Sequence, residues 1–444
     1  MKQHTIVTIP SFQSTYLQNE RNLYIYLPPS YQEETKKTYP VLYMHDGQNI
    51  FHSAFNGQSW NIHKVIDQLI SENKMEEIIV VGIPNMEEER PNEYSFHTLD
   101  VKDLSIPHAL SCSNPKGELY ECFLVEEVKP FIDATFRTKK EAEHTALMGS
   151  SRGGAITYHI GFRRPDVFSM LGILCPYFYY VDPKSLREFP QLTQPNQKKA
   201  HRKIWMDVGE YEGLLIRVNH VKEAAKHLLK IGYTYEEELV YYQDPFASHT
   251  EKDWEERVHA PLLYFFGQKS DVSSIKLTGR SFFGLNEKIA ALNAIKTYKN
   301  GMVMNELRGS YIVKDEGILE VLEDGTVVPK SVGQTTVTLQ VGELTISKDI
   351  EIVNYVSDKM LVSIQVETKE AMRGTSTLYA DLPLKKVNDH HFYNMFILPI
   401  DTGFRFQIHT DDGRGEIDPY KKKVYHQIKI EKPLEFTFVV NDWG

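Results

Sequence analysis

Cysteine is nearly absent: Cys112, Cys122 and Cys175 are the only three in 444 residues, and they show no paired spacing. An odd and scattered set excludes a disulfide framework and a cysteine metal site, and fits free thiols in a reducing compartment. No apolar run approaches the roughly 20 residues that span a bilayer. The start, Met1-Lys2-Gln3-His4-Thr5, lacks the apolar core of a secretory signal, so the sequence reads as cytoplasmic with no membrane partner. A basic surplus is also missing. The formal net charge is -10, with acidic residues spread along the chain, and no stripe of Lys and Arg could track phosphates, so nucleic acid is not expected as a partner. No repeat or low-complexity tract is visible.

What is present is ordinary soluble-protein composition, 41% apolar and 25% charged, in a chain about three times the usual domain length. Up to about Gly267, short apolar strands alternate with amphipathic stretches. Strands are expected at 23–27, 41–44, 78–82, 145–148, 204–208 and 238–242, and helices at 60–72, 118–131, 154–163 and 218–231. Such alternation builds a mostly parallel sheet covered by helices. After Phe266 the texture becomes polar and turn-rich, a short helical piece is expected around 285–294, and from about Met302 the chain reads as strands with period two. A second break lies near 354–358. The expected architecture is therefore an α/β domain over 1–270, a small β domain with a helical linker over 271–355, and a C-terminal β-sandwich over 356–444.

Gly149-Ser150-Ser151-Arg152-Gly153-Gly154 has the form G-x-S-x-G between an apolar strand and a helix-compatible run. A serine hydroxyl becomes a useful nucleophile only where the chain turns sharply enough to expose it, and the flanking glycines let a strand reverse into a helix. The helix start then aims free amides at the oxygen that becomes negative, making the Arg152 amide a candidate oxyanion donor. A Gly-Ser turn alone would be commonplace; the strand before it and the helix after it give it weight.

A serine nucleophile needs a base, and His249 follows it on a loop just after the strand at 238–242. Between the two, Ile204–Gly213 runs from an apolar strand into an acidic turn that should supply the acid holding the imidazole tautomer. Glu212 fits best, Glu210 second, and Asp207 falls within the strand. Upstream, the strand ending at His45 opens into Asp46-Gly47-Gln48, where the Gln48 amide is the candidate for the second oxyanion donor. His45 itself reads as a hydrogen-bonded structural residue at a strand end. The alternative for each acid is a solvated turn, and for His249 a surface loop histidine.

Together these residues resemble the putative-esterase family of α/β-hydrolases, which includes feruloyl and related carbohydrate esterases, siderophore esterases, S-formylglutathione hydrolases and mycolyltransferases. The likeness spans about 5–266. It also includes Tyr26-Leu27-Pro28-Pro29-Ser30-Tyr31, Tyr39-Pro40-Val41-Leu42-Tyr43 with His45-Asp46-Gly47, Arg90-Pro91-Asn92-Glu93-Tyr94 and Phe136-Arg137-Thr138. The resemblance implies an α/β-hydrolase fold and an ester hydrolase with Ser151, Glu212 and His249 as triad, Gln48 and Arg152 as oxyanion amides, and Trp60, Glu93 and Tyr94 lining the pocket. It implies no cofactor and no metal, and a small-molecule or carbohydrate ester as substrate. Many relatives carry methionine where this chain has Arg152, and a cation there would favour a substrate with an acidic part.

The stretch 302–353 resembles a bacterial immunoglobulin-like module, and the last stretch faintly resembles a starch-binding β-sandwich. That stretch has one tryptophan, Trp443, so an aromatic platform for sugar is not evident, and Tyr393, Phe404 and Tyr425 read as core. Two other functions use the same features: an acyltransferase with the same triad, and a carbohydrate-binding protein carrying a degenerate hydrolase domain. The acyl and alcohol parts depend on the loops 87–115 and 177–198, and self-association through the tail is compatible with the sequence.

Overall fold

A computed structural model describes residues 4–53, 57–99, 112–182, 184–288 and 290–444. Of the loop 87–115, residues 100–111 lie outside the described residues. The N-terminal part is built on strands β1 (Thr5–Ser14), β2 (Asn19–Leu27), β3 (Val41–His45), β4 (Ile79–Ile83), β5 (Thr145–Ser150), β6 (Met170–Leu174), a small hairpin β7 (Tyr179–Val181) and β8 (Glu188–Pro190), then β9 (Lys203–Tyr211) and β10 (Leu239–Ser248). All but the hairpin join one eight-stranded sheet in the order β1-β2-β4-β3-β5-β6-β9-β10. The pairs β1/β2 and β2/β4 are antiparallel, and every pair from β4 to β10 is parallel. Strands buried on both faces must be apolar throughout, and β3, β4 and β6 are buried at every position.

Helices cover the faces: α1 (Ile62–Ser71), a short α2 (Arg90–Glu93), α3 (Gly117–Cys122) running through one π-helical stretch into α4 (Lys129–Thr135), α5 (Arg152–Arg163), α6 (Val218–Lys230), α7 (Glu251–Arg257) and α8 (His259–Phe266). The expected strands and the four expected helices fall on these elements within a few residues, and the chain has the α/β-hydrolase fold. Two further features were not foreseen. The edge strand β1 and the strand β6 escaped the sequence reading, β6 because Met170–Leu174 is an apolar run too short to distinguish from helix by periodicity.

Beyond α8 the chain forms small sheets. The strands Phe282–Gly284, Ser310–Val313, Gly333–Val341 and Leu344–Val353 make one four-stranded sheet, with a core of Phe283, Leu319, Val337, Ile350 and Ile352. Where the spacing suggested a helix over 285–294, the described residues form strands Ala290–Ala291 and Asn293–Tyr298 instead. Ala290 and Leu292 face the second core while Ile295 enters the hydrolase core, so apolar positions spaced like one helix face serve two different cores. Ile295, Met304 and Leu307 thus extend the first core past residue 270.

The last part is a six-stranded sheet plus a two-stranded ribbon, Gly403–Phe406 with His426–Lys429. Its core gathers Val362, Ile364, Leu378, Leu384, Phe392 and Phe404, and also takes in Leu214 from the loop after β9. Burying a side chain such as Leu214 or Phe404 stabilises by about 1.5–3 kcal/mol, so the tail is fastened directly to the edge of the hydrolase sheet where its acidic turn begins.

Candidate active site

Ser151 stands between β5 and α5 at φ 58°, ψ -123°, a conformation that L side chains rarely adopt. The surroundings enforce it. Its amide donates to the Leu174 carbonyl, and its own carbonyl accepts from the Tyr177 and Ala155 amides. A Cβ on Gly149 would lie 2.7 Å from the Gly153 backbone and 2.9 Å from the His45 ring, and one on Gly154 2.7 Å from the Leu174 carbonyl. Only glycine lets the strand and the helix approach this closely around the serine. Ser151 is partly exposed, whereas the residues on either side of it are buried.

The adjacent edge carries Glu212 and His249. Cys175 follows Leu174, and its Sγ lies within 4.8 Å of a Glu212 carboxylate oxygen and a His249 ring nitrogen. His249 Nδ1 donates to Glu212 Oε2 at 2.5 Å. The other carboxylate oxygen, Oε1, accepts from the Gly209 amide at 3.0 Å and lies 3.5 Å from Arg257 Nη2. Arg257 is buried and also faces Asp207 Oδ1 at 3.2 Å. The edge of the Trp254 ring meets the imidazole, 5.2 Å between centroids, and Trp60 packs behind Trp254 at 5.4 Å. Cys175, Glu212 and His249 form a donor set that could in principle hold a metal ion. However, burial pushes the Cys175 thiol well above its ordinary range, and its sulfur accepts from Trp254 Nε1 at 3.1 Å. Metals bind the thiolate, so this neutral thiol makes a poor ligand.

Gln48 lies on a short turn after Asp46, which is itself left-handed at φ 56°. A Cβ on Gly47 would come within 2.4 Å of the Gly82 and Ile83 backbone, so the turn is pressed onto β4. Gln48 Oε1 accepts from the Asn85 amide at 3.1 Å, and Arg152 is the first residue of α5, where amides have no intrahelical partner. The Arg152 side chain is buried, its guanidinium 4.7 Å from the centre of the Tyr177 ring.

The remaining positions separate. Tyr94 is buried, its hydroxyl accepting from the Asp46 amide at 3.2 Å. Glu93 is turned away into a buried ion pair with Arg21 at 2.8 Å and does not face an open site. His45 is buried with Nδ1 2.9 Å from the Tyr120 hydroxyl, and burial takes its pKa down to about 3, which keeps it neutral. Glu210 points to the tail, bonding Lys429 and Gln243 Nε2 at 2.6 Å each.

Several contributors were missed from the sequence. Asp46 accepts two bonds from Arg90, at 2.7 and 2.8 Å, tying the Gln48 turn to α2. Asp253 accepts from Ser248 and Thr250, on either side of His249, and from Arg405 of the tail at 3.0 Å. The capping pattern Thr250-Glu251-Lys252-Asp253 was a usable signal for the first two bonds, since Thr250 caps α7 through the Asp253 amide. Nothing in the sequence announces the third.

A family model described as "Putative esterase" matches residues 14–265. The chain is 29% identical over 174 residues to an endo-1,4-beta-xylanase/feruloyl esterase of Xylanibacter ruminicola, covering 37% of this chain and 21% of that protein. It therefore spans about a fifth of that relative's length. It is 20% identical over 217 residues to the uncharacterized protein YbbA of Bacillus subtilis, covering 49% of this chain and 77% of that one. A solved ferulic acid esterase of Anaeromyces mucronatus, in complex with ferulic acid, aligns at 19% identity and a TM-score of 0.42, covering 59% of this chain and 90% of that one.

Proposed function

Because the chain belongs to the putative-esterase family, we propose that it is a serine carboxylic-ester hydrolase with Ser151 as nucleophile, His249 as base and Glu212 as the acid that orients it. One observation carries the reading: the Glu212–His249 hydrogen bond of 2.5 Å stands at the sheet edge beside a serine held at positive φ. A carboxylate on Nδ1 leaves Nε2 as the acceptor nitrogen, the tautomer a general base requires.

In this scheme Ser151 Oγ attacks the ester carbonyl as its proton passes to His249 Nε2. The tetrahedral oxyanion is met by the amides of Gln48 and Arg152. The imidazolium, stabilised by Glu212, returns the proton to the departing alcohol, and a water activated by the same imidazole then releases the acid from the acyl-enzyme. Arg257 stands 3.5 Å from the Glu212 oxygen that does not face His249 and offers that carboxylate a balancing positive charge. Trp60 and Tyr94 act as packing behind this machinery. The proposed substrates are carbohydrate-linked or other small esters.

The test is labelling by a serine-directed fluorophosphonate together with hydrolysis of short acyl esters. The wild-type chain takes the label and turns over p-nitrophenyl acetate, and Ser151→Ala loses both. Labelling that persists in Ser151→Ala refutes the assignment.

A further inference from the structure

The C-terminal β domain reaches the proposed site. The Gly213 amide donates to the Gly403 carbonyl at 2.9 Å, Glu212 and Phe404 form a β-bridge, and Phe404 packs against Gly213. Beside this clamp the same domain presents Asp381, the single residue between the paired strands Thr377–Ala380 and Leu382–Asn388. Asp381 is held at φ 61°, and its Oδ2 lies 3.0 Å from where a Cβ on Gly213 would be. Gly213 directly follows the acid that bonds His249. Asp381 is exposed as a residue, its carboxylate sits against the hydrolase, and among the described residues no donor hydrogen-bonds that carboxylate or forms an ion pair with it. An aspartate in a strained turn, aimed at the base of a hydrolytic site and left without a protein partner, is a group available to a ligand.

We infer that Asp381 is a specificity-determining residue of this esterase, accepting hydrogen bonds from an alcohol part rich in hydroxyl donors, and that the C-terminal domain thereby forms one wall of the active site. The inference rests on the proposed roles of Ser151 and His249. It specifies the alcohol rather than the acyl part because of where Asp381 stands. The acyl group is held at Ser151 between the oxyanion amides, on the β5 and β3 side, whereas the imidazole that protonates the leaving alcohol stands on the β9 and β10 side, next to Asp381. Tyr379 and His409 share the outer face of this domain with Asp381 and stack on each other at 5.1 Å, giving the wall an aromatic flank beside its carboxylate. A carboxylate that accepts from hydroxyls, set beside an aromatic face, is the chemistry that holds a polyol or sugar.

The titratable groups facing Asp381 are His249 from the hydrolase and His409 from its own domain. Enclosure by the two domains raises its pKa, against the pull of the two imidazoles, to about 6. The charged form, the stronger acceptor, is therefore gained as pH rises through about 6.

The test uses the full chain, and Asp381→Asn, because asparagine tolerates the left-handed turn. kcat/KM is measured from about pH 5 to about pH 8 on p-nitrophenyl acetate, whose alcohol offers no donors near the ester, and on 6-O-acetylglucose, whose alcohol offers several. In the wild type the ratio of sugar ester to nitrophenyl ester rises with pH through about 6. In Asp381→Asn that rise is lost and the ratio at neutral pH falls about tenfold, the worth of one charged hydrogen bond. A merely structural role would slow both esters together and leave the ratio alone. An active variant with an unchanged ratio overturns the inference, as does a wild type that hydrolyses only the nitrophenyl ester; both outcomes leave Ser151 and His249 in their roles. A wild type that hydrolyses neither ester and takes no phosphonate label overturns those roles and the inference together.

Discussion

Arg405 Nη1 donates to Asp253 Oδ1 at 3.0 Å, joining residues 152 positions apart, and Asp253 in turn holds the hydroxyls of Ser248 and Thr250 on both sides of His249. The loop carrying His249 is thus braced by a side chain from the C-terminal part of the chain, as the loop carrying Glu212 is braced by Gly403 and Phe404.

Arg405→Ala is expected to lower kcat about tenfold with KM changing less, since small displacements of a catalytic group cost rate more than binding. Steady-state kinetics on p-nitrophenyl acetate check this. A variant that only melts earlier, with kcat intact, would show a brace without catalytic consequence.

For the acid, Glu212→Gln is expected to reduce kcat by about four orders of magnitude, because the amide can no longer select the productive imidazole tautomer. Glu210→Gln should stay within about tenfold of wild type and instead weaken the attachment of the tail, where its carboxylate meets Lys429. Comparing the two variants in one assay decides between the acids. If Glu210→Gln shows the larger loss, the assignment is reversed.

Arg257 is a buried cation shared by Asp207 and Glu212, at 3.2 and 3.5 Å. Arg257→Met leaves two buried carboxylates facing each other, and breaking such a set costs about 3–5 kcal/mol. Urea unfolding should show a loss of that size in the transition of the hydrolase part, and activity should fall with it.

Where α6 meets the small sheets of the middle part of the chain, Lys226 donates to Asp324 at 2.9 Å. Burial works to raise the Asp324 pKa, but the bonds from Thr326 and Lys226 prevail and take it to about 2. A folded-state pKa below the ordinary carboxylate value contributes stability above about pH 4, which is lost as pH falls toward about 2. Asp324→Asn should therefore cost about 2 kcal/mol at neutral pH, and the gap to wild type should close on acidification. Unfolding curves at pH 7 and at the lowest pH the protein tolerates check the sign.

Much of the hydrolase part was legible because its signals are local. The elbow around Ser151 needs small residues at 149, 153 and 154, and a strand before and a helix after; each of these is written within about twenty residues of sequence. The order of the proposed triad followed from Ser151 once the strands were placed. The pocket positions were less legible. Glu93 lies in one of the blocks that carry the family resemblance, yet its side chain turns to Arg21, a choice set by a strand 72 residues away. Residues 285–294 misled for a related reason, since apolar spacing records that side chains are buried but not which core buries them.

By itself, the sequence determined the alternating strand and helix pattern, the strained serine turn and the chain order of Ser151, Glu212 and His249, because these depend on backbone conformation and on neighbours a few positions away. The sequence ranked Glu212 ahead of Glu210, but only the tertiary structure brings Glu212 onto His249 while turning Glu210 to Lys429, sets Arg257 behind Glu212, and brings Arg405 to Asp253 and Asp381 to Gly213. Those are contacts between segments separated by tens to hundreds of residues. Their pairing is chosen by how sheets and cores pack, and no spacing along the chain encodes it.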